Sequence, residues 1–187
     1  MSIFDKLKNA AQDLAAQATT PSNQSETFSF AALPESVGEM QALPEAAMDT
    51  PFKTAALTVC ALCAYAADKE IGKQMLNFLK GPRPLTPTEI QFLNDRFMDG
   101  KTYLPFSYFA GAKPENDYTP SEPFTVTVTS NPYSYQNEGY ATLYIASGGA
   151  DSPRPLTLRR KGDGQWCLWE QSLLVGIREP KSADPWA

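Results

Sequence analysis

The sequence predicts an α+β domain, with N-terminal helices packed on one face of an antiparallel sheet of four or more strands. Two observations support this class. Apolar residues recur at helical spacing up to about residue 100 and alternate with polar residues beyond it. Residues 156–170 (LTLRRKGDGQWCLWE) have the pattern of a β-hairpin. The predicted organisation is an amphipathic helix at 1–18, a flexible linker at 19–27 and one α+β domain at 28–187, helical over 28–100 and mainly β over 101–187.

Residues 2–16 are predicted to form an amphipathic helix, because five apolar residues recur at three- and four-residue steps. These residues are Ile3, Phe4, Leu7, Ala11 and Leu14. The polar stretch 19–26 (TTPSNQSE) predicts a linker after the helix. Three interpretations stay open: the helix docks on its own domain or on a partner protomer, it anchors at a membrane surface, or it is disordered. Its polar side mixes aspartate with lysine, so it lacks the cationic bias of helices that bind anionic membranes.

Start and stop signals predict several helices before residue 100. The pair Thr50-Pro51 supplies a capping hydroxyl and a proline at the first helical position. The helix that it opens is apolar nearly all round and is expected in the middle of the core. Thr86 and Glu89 have the spacing of a capping box. The predicted helices span 34–43, 51–67, 68–80 (as a continuation or as a separate helix) and 86–100.

The C-terminal part is predicted to be a set of antiparallel strands. Residues 124–130 (FTVTVTS) and 139–147 (GYATLYIAS) predict two strands, and the hairpin supplies two more. A two-residue turn around Gly162-Asp163-Gly164 would place Trp169 on the leucine face of the hairpin, whereas a three-residue loop with a bulge would place Trp166 there. We favour the second alternative, because it gathers the more apolar set on one face. Trp169 then points to a second buried surface, formed by the C-terminal tail, a partner or a ligand.

Composition excludes several classes of chemistry. The chain has no histidine, so a Ser-His-Asp triad, a Cys-His pair and histidine-ligated zinc or iron cannot form within it. Cys60 and Cys63 have C-x-x-C spacing, but they lie inside the apolar helix, where cysteine packs as a small hydrophobic residue. No metal or cofactor is expected. The odd cysteine count and the lack of a secretory signal predict a reducing cytoplasm, and the net charge of -5 argues against nucleic-acid binding.

A local basic cluster and a run of aromatic residues supply the candidate binding residues. Guanidinium groups bind carboxylates and phosphates bidentately, so a small anionic ligand is one expectation. Alternation along a strand points Arg159 and Arg160 to opposite faces, so these two cannot converge alone. The region between residues 100 and 145 is rich in tyrosine, which favours an aromatic pocket or protein-binding face. The candidate ligand- or partner-binding residues are Arg159, Arg160, Trp166, Trp169, Tyr140 and Tyr144.

Several segments carry a resemblance to a known family. They are 151–155 (DSPRP), 164–170 (GQWCLWE), 177–180 (IREP) and 184–187 (DPWA), with an extension back through 106–132. These segments resemble a family of uncharacterised bacterial proteins known only as a domain of unknown function. The resemblance implies a bacterial cytoplasmic protein and no particular activity. The hairpin alone is similar to cone-shaped α+β domains of the nuclear-transport-factor-2 type, which implies a small-molecule pocket, or an enzyme of a kind that relies on histidine or aspartate.

The expected function is therefore a non-enzymatic cytoplasmic domain that binds a protein or a ligand and self-associates. An alternative is a small-molecule-binding or enzymatic cone-type domain that uses tyrosine, aspartate, glutamate and arginine side chains. A third alternative is a peripheral membrane protein attached through residues 2–16. The lack of histidine and of converging catalytic groups makes an enzyme the less expected outcome.

Overall fold

The computed structural model describes residues 23–187 and has the α+β class that the sequence predicts. Its five strands form one sheet in the sequential order β1-β2-β3-β4-β5, and every neighbouring pair is antiparallel. The predicted helix at 1–18 and the first part of the predicted linker lie outside the described residues. The strands are β1 (Ser25–Phe30), β2 (Phe124–Thr129), β3 (Tyr140–Ile145), β4 (Arg154–Arg160) and β5 (Trp166–Gln171).

Strand β1 corrects the sequence prediction, which extends the linker to residue 27 and makes the chain helical from residue 28. The side chains of Phe28 and Phe30 are buried, and those of Thr27 and Ser29 are exposed. This alternation is that of a half-buried strand. The partner strand β2 follows about a hundred residues later, with Thr27 opposite Thr127, so no local turn signal announces the pairing.

The helices lie where the sequence predicts them, but the first spans only Val37–Gln41 instead of 34–43. Thr50 caps the helix at Pro51–Ala67 by accepting a hydrogen bond from the Lys53 N–H. Asp68 ends that helix and caps the next one, so residues 69–80 form a separate helix. The last helix stops at Arg96 and not at Gly100, and a 3-10 turn follows it. The helices are α1 (Val37–Gln41), α2 (Pro51–Ala67), α3 (Lys69–Lys80) and α4 (Pro87–Arg96).

The core lies between the sheet and the helices, with α2 at its centre. Most residues of α2 are buried on every side of the helix. Helix α3 packs against it so closely that a Cβ at Gly72 would lie 2.2 Å from the Tyr65 Cα. Burial of apolar side chains from both layers supplies the main stabilisation of this arrangement. The inner face of the sheet contributes Phe28, Phe30, Val126, Val128, Leu143, Ile145, Leu156, Leu158 and Leu168.

The opposite face of the sheet, which we call the outer face, is polar. Hydroxyl groups pair across neighbouring strands, with Oγ1–Oγ1 distances of 2.9 Å for Thr27–Thr127 and 3.3 Å for Thr142–Thr157. These side chains alternate with the buried apolar set, as expected for a sheet covered on one face only. The outer face is therefore where the sheet can contact a ligand or a partner.

No helix within residues 23–187 has the length and apolar character that crossing a membrane requires.

Candidate ligand-binding surface

The hairpin has the three-residue loop that the sequence analysis favours. The Gly164 N–H donates to the Lys161 carbonyl (3.0 Å), the Lys161 N–H donates to the Gln165 carbonyl (2.7 Å), and Gly164 has a φ of +93°. A positive φ at this position is characteristic of a type I turn followed by a bulge. Trp166 consequently packs against the core with the inner-face leucines.

A second β-bulge lies within β5 and determines where Trp169 points. The strand register passes from Leu158–Leu168 to Thr157–Glu170, so Trp169 is the extra residue. Bulges redirect side chains and are frequent beside functional sites. Here the bulge places Trp169 and Glu170 together on the outer face, along with the side chain of Thr157.

Lys80, at the end of α3, holds this bulge in place. Its side chain is only 2% exposed. The Nζ donates to the Trp169 carbonyl at 3.2 Å and to Glu89 Oε1 at 2.7 Å. The Lys80 ammonium thus satisfies a bulge carbonyl and joins α3, the first turn of α4 and β5, because Glu89 also forms the capping box with Thr86.

The Glu89 carboxylate is kept ionised by these contacts. Partial burial alone would raise its pKa, but the hydrogen bond from Lys80, the backbone and hydroxyl donors of Thr86, and the charge of Lys80 outweigh it. The pKa of Glu89 therefore lies below its usual range. The Glu89 carboxylate is therefore ionised at neutral pH.

Two arginines contact the Trp169 ring. The guanidinium carbon of Arg83 lies 4.3 Å from the ring centroid, and that of Arg159 lies 4.8 Å from it. Arg159 also lies 5.3 Å from the Tyr140 ring, and the Tyr140 and Trp169 rings meet edge to face at 5.6 Å. Cation–π contacts of this kind orient guanidinium groups without neutralising them. We refer to Arg83, Tyr140, Arg159 and Trp169 as the outer cluster.

The two arginines of the outer cluster form no ion pair with the described residues. Within residues 23–187, no carboxylate lies within 4.0 Å of the guanidinium groups of Arg83 or Arg159. Both side chains are exposed to solvent. In a chain with a net charge of -5, two such guanidinium groups beside one aromatic ring are the candidate site for an anion.

A cleft of about 460 Å³ adjoins the cluster on the outer face, and we refer to it as the outer cleft. Its floor is formed by strands β3 and β4, one wall by the β2–β3 loop, and the other wall by the bulge. Tyr140 and Trp169 belong to both the outer cluster and the outer cleft. The lining residues are Tyr133, Ser134, Gln136, Asn137, Tyr140, Thr142, Tyr144, Thr157, Trp169 and Glu170.

The structure brings four of the six predicted site residues to this surface. Arg159, Trp169 and Tyr140 form the outer cluster with Arg83, and Tyr144 lines the cleft. Arg160 lies opposite Trp166 in the β4–β5 pairing, away from the other four.

Trp166 and its neighbours serve the fold. The Trp166 N–H donates to the Met48 carbonyl at 2.8 Å, and its own carbonyl accepts from Thr54 Oγ1 at 2.6 Å. The other two basic residues near the hairpin are also used internally: Arg154 donates to the carbonyls of Val175 and Gly176, and Lys161 pairs with Asp163. These contacts leave Arg159 as the basic residue near the hairpin that faces the outer cleft.

Arg83 is the site residue that sequence reasoning missed. It lies in the loop after α3, between two prolines that stiffen the backbone. Gly81 begins this loop with a φ of +62°, and a Cβ there would lie 2.8 Å from Cys167 Sγ, so the loop packs directly on β5. The Gly81-Pro82-Arg83-Pro84 sequence predicts a rigid exposed turn, but nothing in it indicates which strand the turn covers.

The C-x-x-C pair is part of the core, as predicted. Cys60 and Cys63 are buried and form no disulfide. Burial raises the pKa of both thiols. The negative charge of nearby Glu45 raises the pKa of Cys60 further. A thiol with a raised pKa is a poor nucleophile and a poor metal ligand at neutral pH. Residues 23–187 contain no group of three or more histidine, cysteine, aspartate or glutamate side chains arranged to hold a metal ion.

The C-terminal tail leaves its tryptophan in solvent. Trp186 is 92% exposed, so it does not pack on the described part of its own domain.

Comparison with known proteins shows the family of the chain. No curated protein and no solved structure matches it. The similarity to nuclear-transport-factor-2-type domains therefore remains a prediction from the hairpin alone. A family model described as "Domain of unknown function (DUF6935)" matches residues 32–181, which is well over half of the chain. The match confirms the predicted membership in an uncharacterised domain family, and the chain belongs to the DUF6935 family.

Proposed function

We propose that this domain binds a small anionic ligand, whose carboxylate or phosphate group is held by Arg83 and Arg159 beside the Trp169 ring. The observation that carries the proposal is the pair of exposed guanidinium groups on one ring, without a carboxylate partner within residues 23–187. Fixed, orientated guanidinium groups are the side chains best suited to bind oxyanions bidentately.

Preorganisation supports binding at this place. Two prolines stiffen the Arg83 backbone, Arg159 stands on a central strand, and Lys80 fixes the bulge that carries Trp169. A ligand that meets side chains already in position does not have to offset the cost of ordering them. The arrangement therefore favours binding without a large conformational change.

The chemistry of the surface favours binding over catalysis. Guanidinium groups stay protonated at all ordinary pH values, so Arg83 and Arg159 act as fixed charges and not as acids or bases. Among the residues that line the outer cleft, Glu170 is the one carboxylate. A paired-carboxylate mechanism would require a second one within reach. We therefore propose a non-enzymatic role.

The expected compartment is the bacterial cytoplasm. The free, buried cysteines fit a reducing environment, and the resemblance to uncharacterised bacterial proteins implies a bacterial source. The acidic chain is expected to bind neither nucleic acid nor an anionic membrane, since both carry the same sign of charge as the protein.

Thermal unfolding with inorganic phosphate and with succinate tests the proposal. We expect the midpoint of the full-length protein to rise with anion concentration and to level off, while matched sodium chloride has no such effect. Replacing Arg83 and Arg159 together with glutamine should abolish the rise. Arg160→Gln is the matched control, because this exposed arginine lies away from the cluster. An equal rise in all three proteins, or none in the wild type, would contradict the proposal.

A further inference from the structure

We infer that the ligand is an acidic sugar, with its ring in the outer cleft and its acid group on Arg159 and Arg83. The inference rests on the proposed anion site and adds the class of molecule that carries the anion. A sugar ring offers hydroxyl groups around its edge and C–H groups on its faces. It therefore requires a site that combines many hydrogen-bonding groups with aromatic surfaces, and the outer cleft has both.

The outer cleft is rich in side chains that can form hydrogen bonds. Every lining residue except Trp169 carries a hydroxyl, an amide or a carboxylate group. Within residues 23–187, the side chains of Gln136, Asn137 and Glu170 have no protein hydrogen-bond partner, and the same holds for the hydroxyls of Tyr140 and Tyr144. Amides donate and accept, and a carboxylate accepts only. These groups match sugar hydroxyls, which also donate and accept.

The aromatic surface is present in the same cleft. Tyr133 is 67% exposed on the loop wall, and the rings of Tyr140 and Tyr144 stand on the floor. An exposed tyrosine at this level contributes little to the fold, whereas aromatic rings with a polar tip are common in binding surfaces. The C–H faces of a sugar can pack on these rings while its hydroxyl groups reach the surrounding polar side chains.

The loop that forms the wall is held in place before any ligand arrives. The Thr142 N–H donates to the Ser134 carbonyl at 2.9 Å, and the Arg160 N–H donates to the Gly139 carbonyl at 2.8 Å. The Asn131 N–H also donates to Ser134 Oγ at 2.9 Å. These bonds fix the loop to β3 and β4. The volume of about 460 Å³ lies within the range of about 300–1,000 Å³ that is usual for small-molecule sites.

Two features select an acidic sugar over other ligands. Arg159 lies over Tyr140 and Trp169, which both line the cleft, so a ring bound in the cleft has a cation at its border. An apolar ligand would bury the amides and Glu170 without partners, which is costly. A proline-rich peptide is the main competitor, because it also uses tyrosine and tryptophan grooves, but it offers few donors for Glu170 and the two amides.

Fluorescence of a single tryptophan provides the readout. The chain has three tryptophans, so full-length protein with Trp166→Phe and Trp186→Phe keeps Trp169 as the only indole. The probes are glucuronate, galacturonate and glucose 6-phosphate, each compared with glucose, galactose, succinate and inorganic phosphate at equal ionic strength. We expect a saturable change, with at least one acidic sugar bound tenfold or more tightly than its neutral parent and than either simple anion.

Variants of the cleft separate this inference from the proposed anion site. Replacing Gln136 and Asn137 with alanine should weaken the acidic sugar at least fivefold and leave succinate unchanged, while Gln41→Ala, an exposed amide elsewhere, should change neither. Simple anions that bind as tightly as the sugars would overturn the sugar inference and leave the anion site standing. Binding of a proline-rich decapeptide at the cleft, with no sugar bound, would also overturn it. If no probe binds, both proposals fail.

Discussion

Replacing Lys80 with methionine is expected to destabilise the protein strongly, because Lys80 is a buried charge that serves two partners. The change leaves the Glu89 carboxylate without its cation and the Trp169 carbonyl without its side-chain donor. Removing one member of a buried ion pair costs about 3–5 kcal/mol. The side chain of Glu89 is 33% exposed and keeps its Thr86 donors, so we expect a loss of stability at or just below the bottom of this range, about 2–3 kcal/mol.

Urea unfolding, followed by far-UV circular dichroism, measures this loss. For a domain of this size the same change should lower the thermal midpoint by about 5–10 °C. Glu89→Gln alone preserves the capping box, because glutamine also occupies that position well. The double variant, Lys80→Met with Glu89→Gln, should recover about half of the stability lost in Lys80→Met, since it leaves no carboxylate without its cation. A loss below about 1 kcal/mol for Lys80→Met, or simple additivity of the two changes, would refute the reasoning.

Three further predictions concern the pair, the core and association. The pKa of Glu89 is lower in the folded than in the unfolded protein. Glu89 therefore stabilises the fold at a pH above its unfolded-state pKa, and this stabilisation is lost as the pH falls below about 4.5. The free energy of unfolding should fall more steeply with acid in the wild type than in Glu89→Gln, and parallel curves would count against the ion pair. Gly72→Ala places a Cβ against the Tyr65 backbone and should cost about 3 kcal/mol in urea unfolding; a near-neutral effect would contradict the close α2–α3 packing. The full-length chain is expected to self-associate through the predicted apolar side of residues 2–16. Light scattering should then show an oligomer for the full-length chain and a monomer for a chain that begins at residue 23. Monomers in both cases would contradict this expectation.

Local signals made most of the fold predictable. Thr50-Pro51 and the Thr86–Glu89 capping box each place a helix start from neighbouring residues alone, and both are confirmed. The Gly162-Asp163-Gly164 loop is likewise encoded within the hairpin. Strand β1 was missed, because its pairing with β2 depends on residues about a hundred positions away. The strand is short and most of its residues are polar, so in the sequence it looks like a continuation of the polar linker before it.

The candidate site was predictable only in part, for the same reason. Tyr140, Arg159 and Trp169 lie on adjacent strands at the hairpin, so their proximity follows from strand pairing. The bulge at Trp169 depends on Lys80, whose position is set by helix packing. Arg83 reaches the cluster through a loop that packs on Cys167. Such contacts between distant elements have no signature in a single sequence.

Binding of an anion by Arg83 and Arg159 beside Trp169 is the basis of the proposed function. Nuclear magnetic resonance of the arginine Nε–H and tryptophan Nε1–H groups, during a titration with inorganic phosphate, tests it most directly. We predict that the signals of Arg83, Arg159 and Trp169 shift together and reach saturation with one dissociation constant, while those of Arg160 and Trp166 stay in place. Equal, unsaturated shifts of all the arginines, or no shift at Arg83 and Arg159, would contradict the claim.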